Sequence, residues 1–347
     1  MNAITQSKYQ NLKTKKMPKS IIFLPFILVQ TLSLNALDNF SITTNKKVKV
    51  FILAGQSNME GHGLIKGKPG QKGTLETLVN DPKSLKEFKG LIDSKGDWIV
   101  RDDVWISWLN KNGKLTVGGY AGKGSIGPEV GFGWEVGNYL KEQIILLKFG
   151  PGGTSLAGPW RPPSSGGKGD KPRGEEDGSQ YKLLVKKTKD VLSNVGKYFP
   201  SLTEYDLELA GFGWHQGWND GCSMQDTKEY KENLKNFIND IRKDLKVHSL
   251  PFVIAGSGFG GWNQTIDRRL MIIEAQKSVT ELTEFKSSSK YVETRDFFRD
   301  GSVSPRPIRY HWCCNAETYW LIGQGMGKAM IELLGGLETP SPKTRKK

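Results

Sequence analysis

The stretch VFILAGQSNMEGHG, residues 50–63, decides the fold. With Val48 and Lys49 before it, VKVFILA (48–54) reads as a hydrophobic strand. Gly55 makes a tight turn, and Ser57 stands where the next helix begins. A serine there is exposed at the sheet's edge and can accept stabilisation from helix amides. Ser57 is therefore either a nucleophile or a plain helix cap.

Outward from this block, short apolar runs alternate with longer amphipathic ones. QIILLKF (143–149), LELAGFGW (207–214), PFVIAGS (251–257) and KYVETRDF (290–297) are the further expected strands. Helical spacing falls near 129–141, 180–196, 226–245, 264–281 and 315–334. The last is clearest, with Ala316, Tyr319, Leu321, Ile322, Met326, Met330 and Leu333 recurring on one face. Such alternation predicts a parallel sheet covered by helices on both faces. Residues 62–127 are polar and Gly-rich, and 150–178 include the run SSGGKGDKPRGEEDG. Loops that long are functional or disordered, and open parallel sheets bind ligands beyond the carboxyl ends of their strands.

Three more blocks carry chemistry. ILLKFGPGGTSLAGPW (145–160) ends a strand in Gly150, Gly152 and Gly153, whose bare amides suit an oxyanion better than a phosphate, since the Walker lysine is missing. LELAGFGWHQGWNDG (207–221) runs from a strand into Gln216, Gly217, Asn219 and Asp220, where a side-chain amide can add a further oxyanion donor. RYHWCCNAETYWLIGQGMG (309–327) sets His311 just before a helix capped by Asn315. Histidine is the usual base for activating a serine. Of the four histidines, His248 follows a basic helix, His62 and His215 lie beside motifs and stay candidates, and His311 is favoured.

Taken in order, these blocks resemble the SGNH hydrolase superfamily, specifically the sialate O-acetylesterase-like domain related to carbohydrate esterase family 6. The likeness runs from about residue 48 to 335 and is strongest in GQSNMEG, GPEVGFGWEVG (127–137), PGGTSLAGPWRPP, WHQGWND and YHWCCNAETYWLIGQGMG. It implies a three-layer α/β/α sandwich with a mostly parallel sheet of about five strands. It further implies Ser57 as nucleophile and His311 as general base. The oxyanion hole would comprise the Ser57 amide, Gly152 or Gly153, and Gln216 or Asn219. One position departs from the pattern: the superfamily's aspartate, three residues before the histidine, is Ile308 here. Asp296 or Asp300 would then supply the orienting acid, with Asp296 favoured because a strand end holds it; a backbone carbonyl is the alternative.

The resemblance implies acetyl esters of carbohydrate as substrate, and Trp160, Trp218 and Trp312, with Trp214 and Trp262, lie beside the proposed loops where indoles stack on sugars. A non-catalytic carbohydrate-binding protein and a lipase or thioesterase of the same fold are the rival readings. No cofactor is expected, and neither HExxH nor zinc-spaced Cys/His is visible.

Residues 1–36 read as a signal peptide: Lys13, Lys15, Lys16 and Lys19 precede IIFLPFILV, and small and polar residues lead to Ala36. The run is too short for a membrane span. Cleavage would leave an esterase domain over 37–338 and a basic tail over 339–347, outside the cytoplasm and with no stable anchor. It would also remove five lysines from a formal charge of +14. Nucleic acid is not an expected partner of an exported protein. Three cysteines leave at least one unpaired thiol, and a bridge from Cys222 to Cys313 or Cys314 is expected in an oxidising compartment.

Overall fold

Both faces of the first strand are covered, which is why it reads as an unbroken apolar run. Val48, Val50, Ile52 and Ala54 point into one core, and Phe51 and Leu53 into the other. The computed structural model describes residues 46–168, 174 and 176–336. The expected signal segment and basic tail lie outside them.

Among the described residues the strands are β1 (Lys47–Gly55), β2 (Gly63–Leu64), β3 (Val104–Trp108), β4 (Lys111–Lys114) and β5 (Ser125–Ile126). There follow β6 (Gln143–Phe149), β7 (Asp206–His215), β8 (Phe252–Ala255) and β9 (Ser289–Val292). Seven form one sheet in the order β4-β3-β6-β1-β7-β8-β9, and β2 pairs with β5 in a separate ribbon. Within the main sheet every pairing is parallel except β3 with β4.

Helices α1 (Ser57–Glu60), α2 (Leu75–Asn80), α3 (Leu85–Phe88) and α4 (Pro128–Tyr139) precede β6. Then come α5 (Ser179–Ser193), α6 (Val195–Tyr198), α7 (Met224–Asp244), α8 (Asp267–Thr280) and α9 (Ala316–Leu333). Apolar residues of α4 and α9 share a core with Phe51 and Leu53. Those of α5, α7 and α8 share the other with Val50 and Ile52. The result is the expected three-layer sandwich.

The sheet has seven strands rather than about five. The extra pair, β3 and β4, arises inside the polar stretch 62–127. VWISW is only five residues long, and KNGK has no apolar residue to reveal it. An edge strand bearing lysines is protected against pairing with another chain, so it carries no hydrophobic alternation.

Helices α4 and α9 cross at two glycines. A Cβ on Gly131 would fall 2.2 Å from the Trp320 carbonyl oxygen, and one on Gly323 would fall 2.2 Å from that of Pro128. Only glycine permits this approach, because the obstructing atoms are backbone and cannot rotate away. Gly323→Ala should therefore destabilise the protein by about 1–3 kcal/mol, the usual cost of overpacking. Denaturant unfolding checks this; an unchanged midpoint would show that the helices have room to part.

Candidate active site

The site assembles where β1, β6 and β7 end. Gly55 closes β1 against β7 so tightly that a Cβ there would lie 2.0 Å from the His215 carbonyl oxygen. Ser57 follows as the first residue of α1 and is 9 % exposed. Its backbone amide has no partner among the described residues, as expected of a first-turn N–H.

His311 arrives from the far end of the chain. Its Nε2 lies 3.1 Å from Ser57 Oγ. The loop is fixed by the Ile308 carbonyl, which accepts from the amides of His311 and Cys313 at 3.0 Å each. Asn58 closes the junction: its Nδ2 donates to the Tyr310 carbonyl at 2.9 Å, and its Oδ1 accepts from the Tyr319 hydroxyl at 2.8 Å. The His62 ring stacks on His311 with centroids 4.0 Å apart. Burial, and after it the charge of His62, pulls the His311 imidazole from the usual 6.5 down to about 4. It is neutral at pH 7, the form that accepts a proton.

The glycine loop after β6 lies against the serine. A Cβ on Gly152 would come within 3.8 Å of Ser57 Cβ, in open contact, while Gly153 has φ +72° and free space around it. Asn219 is half-buried; its Nδ2 donates to the Gly153 carbonyl at 2.7 Å and its Oδ1 accepts from Gln56 at 3.1 Å. One N–H of its amide remains for another acceptor.

Several expected residues are placed elsewhere. Gln216 is buried, and its Nε2 donates to Gln56, Thr154 and Asp220, so it has no donor to spare. Asp296 sits on the surface and accepts from the Trp262 indole at 2.8 Å; it does not reach His311. Asp300 is likewise exposed and caps its own turn at Ser302. Among the described residues no carboxylate bonds to the His311 imidazole. Trp160 and Trp312 are fully buried, Trp160 edge-on to Trp214 and Trp312 against Phe259, so neither offers a face to a sugar. Trp218 is half-buried, between Phe259 and Tyr310, with the Arg269 guanidinium over its ring. His215 is buried and bonded to the Ala255 carbonyl, away from the serine. The expected disulfide is not formed: Cys222 is an exposed free thiol, while Cys313 and Cys314 are free and buried.

Other residues of the site escaped the sequence reading. Asp220, fully buried, accepts from the amides of Leu156 and Ala157 and from Gln216, tying the glycine loop to the turn after β7. Burial raises its carboxyl to about 6. Lys148 on β6 is buried, paired with Glu129 at 2.6 Å, and donates to the Glu60 carbonyl at 2.8 Å, which braces α1 from below. A lysine inside an apolar strand was the available signal for it. No group of His, Cys, Asp and Glu among the described residues is disposed to hold a metal, and no described helix is long and apolar enough to cross a membrane.

Comparison with known proteins bears on this geometry. A family model described as carbohydrate esterase, sialic acid-specific acetylesterase, matches residues 47–298. The match ends short of His311. A probable carbohydrate esterase of Arabidopsis thaliana is 24 % identical over 217 residues, covering 61 % of this chain and 70 % of its own length. A solved Arabidopsis thaliana structure is similar with a TM-score of 0.53 at 18 % identity, covering 82 % of this chain and 98 % of that one. A carbohydrate acetylesterase from Xanthomonas citri is similar at 14 % identity and a TM-score of 0.49, over 84 % of this chain and 57 % of that one.

The depressed histidines link stability to pH. His215 is held at about 4 by burial, as is His311, against 6.5 when unfolded. The unfolded chain thus takes up protons that the folded chain refuses, and stability falls as pH drops from 6.5 through about 4. Asp220, raised by burial, acts oppositely below pH 6 but is outnumbered. The thermal midpoint should therefore decline over this window, and His215→Gln should flatten the decline. A flat profile for the unaltered protein would contradict the burial of these imidazoles.

Proposed function

The chain belongs to the sialic acid-specific acetylesterase family of carbohydrate esterases, and on that premise we propose that it cleaves acetyl esters of carbohydrate through an acyl-enzyme on Ser57. The 3.1 Å approach of His311 Nε2 to Ser57 Oγ carries this reading. Neutral His311 takes the hydroxyl proton as Oγ attacks the acetyl carbonyl. The negative charge then forms on an oxygen flanked by the amides of Ser57 and Gly152 and the free N–H of Asn219. Such donors act on charge present only in the transition state. His311 returns the proton to the departing sugar hydroxyl, and water releases acetate by the same route.

The missing acid has a physical substitute in part. The His62 ring, stacked at 4.0 Å, and the Ile308 turn restrain the imidazole by packing rather than by a carboxylate. Trp218 is the remaining indole of the expected set with surface near His311, through Tyr310, and is proposed as a sugar contact. Export is proposed from residues 1–36, leaving the catalytic domain over 37–338 and the tail over 339–347 outside the cytoplasm. Amino-terminal sequencing of protein recovered from outside the cytoplasm should begin close to residue 37; an intact terminus there would refute cleavage.

Activity separates this reading from a sugar-binding protein without turnover. Purified protein should hydrolyse p-nitrophenyl acetate and release acetate from an acetylated glycan. Ser57→Ala and His311→Ala should fall to background, and Asn219→Ala should lose about 10²–10³ in kcat, the usual cost of one oxyanion donor. The rising limb of kcat/KM against pH should lie near 4 rather than 6.5, because protonated His311 cannot act as base. Sugar affinity without turnover in the unaltered protein would overturn the esterase reading.

A further inference from the structure

On the far side of the glycine loop that flanks Ser57 the fold leaves a cavity of about 540 Å³. It opens beyond the carboxyl ends of β3 and β6, where open α/β sheets receive ligands. Glu60 and Gly152 line it, and a Cβ on Gly152 would lie 3.8 Å from Ser57 Cβ, so the cavity reaches the serine through the glycine loop.

Its lining is amphiphilic. Leu109, Phe149 and Leu183 give apolar surface, and Glu60, Asn110 and Gln180 give polar side chains that make no hydrogen bond within the described residues. Leu109 and Leu183 are 71 % and 51 % exposed, so the cavity presents apolar surface to solvent. Leu109 also carries backbone strain. It stands at φ +53° in the turn joining β3 to β4, a conformation that glycine adopts without strain and leucine does not. Backbone preference does not account for a leucine there. Contact with an occupant of the cavity does, since strain of this kind collects at functional sites.

We propose that this cavity is the glycan subsite of the esterase and that it takes uncharged sugar rings. The proposal rests on the esterase reading above. The apolar faces of a pyranose would lie against Leu109, Phe149 and Leu183, while its hydroxyls donate to Glu60 and bond to Asn110 and Gln180. The two cations at the cavity are already engaged. Lys148 is paired with Glu129, and Lys187 lies over the Tyr198 ring with Asp190 nearby. The Glu60 carboxylate therefore faces the cavity without a dedicated counter-charge and disfavours an acidic sugar.

Titration calorimetry on the full chain carrying Ser57→Ala tests this without turnover. Xylotetraose, cellotetraose and mannotetraose are the neutral probes, and N-acetylneuraminic acid is the acidic one. At least one neutral probe should bind, more tightly than the acidic one. Adding Glu60→Ala or Leu183→Arg should weaken that binding at least tenfold, with circular dichroism confirming the fold. Adding Leu109→Gly should weaken it at least threefold while raising the thermal midpoint, a split that a purely structural leucine would not give. The proposal is overturned if no neutral probe binds, if the acidic probe binds more tightly, or if all three substitutions leave affinity unchanged. Preference of the unaltered enzyme for p-nitrophenyl butyrate over acetate, lost in Leu183→Arg, would instead make the cavity an acyl pocket. Failure of the esterase reading shows separately, as absence of p-nitrophenyl acetate hydrolysis by the unaltered protein.

Discussion

The amide of Asn58 joins two parts of the chain that would otherwise have no reason to meet. Ser57 and His311 are 254 positions apart, and their contact is a single 3.1 Å approach. Such a contact cannot hold the loop it depends on. Asn58 does so by bonding the backbone of Tyr310 on one side and the hydroxyl of Tyr319, from the first turn of α9, on the other. Both partners are satisfied out of water, where leaving either unpaired costs about 1–3 kcal/mol. The Ser57–His311 pair is thus positioned by a neighbour that takes no part in their contact.

A comparable division of labour governs the turn after β7. Gln56 accepts from Gln216 Nε2 and the backbone amides of Gly217 and Asn219 and donates to Asn219 Oδ1, so one side chain sets the orientation of that turn. With its Oδ1 held by Gln56, the Asn219 amide can only present nitrogen to the glycine loop. Asp220 then anchors that loop from beneath. The residues flanking the serine in GQSN are therefore scaffolding for the other blocks.

Much of this was legible in advance because the buried strands and amphipathic helices carry strong periodicity. β1, β6 and β7 and the helices α4, α5, α7, α8 and α9 follow the expected runs closely, His311 and Gly152 lie against Ser57, and Asn219 bonds to Gly153. What stayed hidden depends on three-dimensional neighbours. A tryptophan beside a motif can face solvent, as Trp262 does, or fill the core, as Trp160 and Trp312 do; linear position does not distinguish them. Gln216 and Asn219 are both amides at a strand end, and only the network around Gln56 and Asp220 separates a spent donor from one with an N–H to spare. Asp296 was attractive for its nearness to a strand end, yet its carboxylate turns to Trp262. The β3–β4 hairpin has too short an apolar run to stand out from its surroundings.

Between His311 and α9 the chain winds against its preferred hand. Trp312, Cys313 and Cys314 have φ of 51°, 54° and 56°, a left-handed run that costs about 1–2 kcal/mol per residue. Such a run does not form in an isolated peptide. It is offset only once the Trp312 ring lies in the core and Asn315 caps α9. The position of His311 therefore rests on tertiary packing rather than on local backbone preference. The Ser57–His311 contact thus depends on a backbone that only the packed core and the helix cap together can hold.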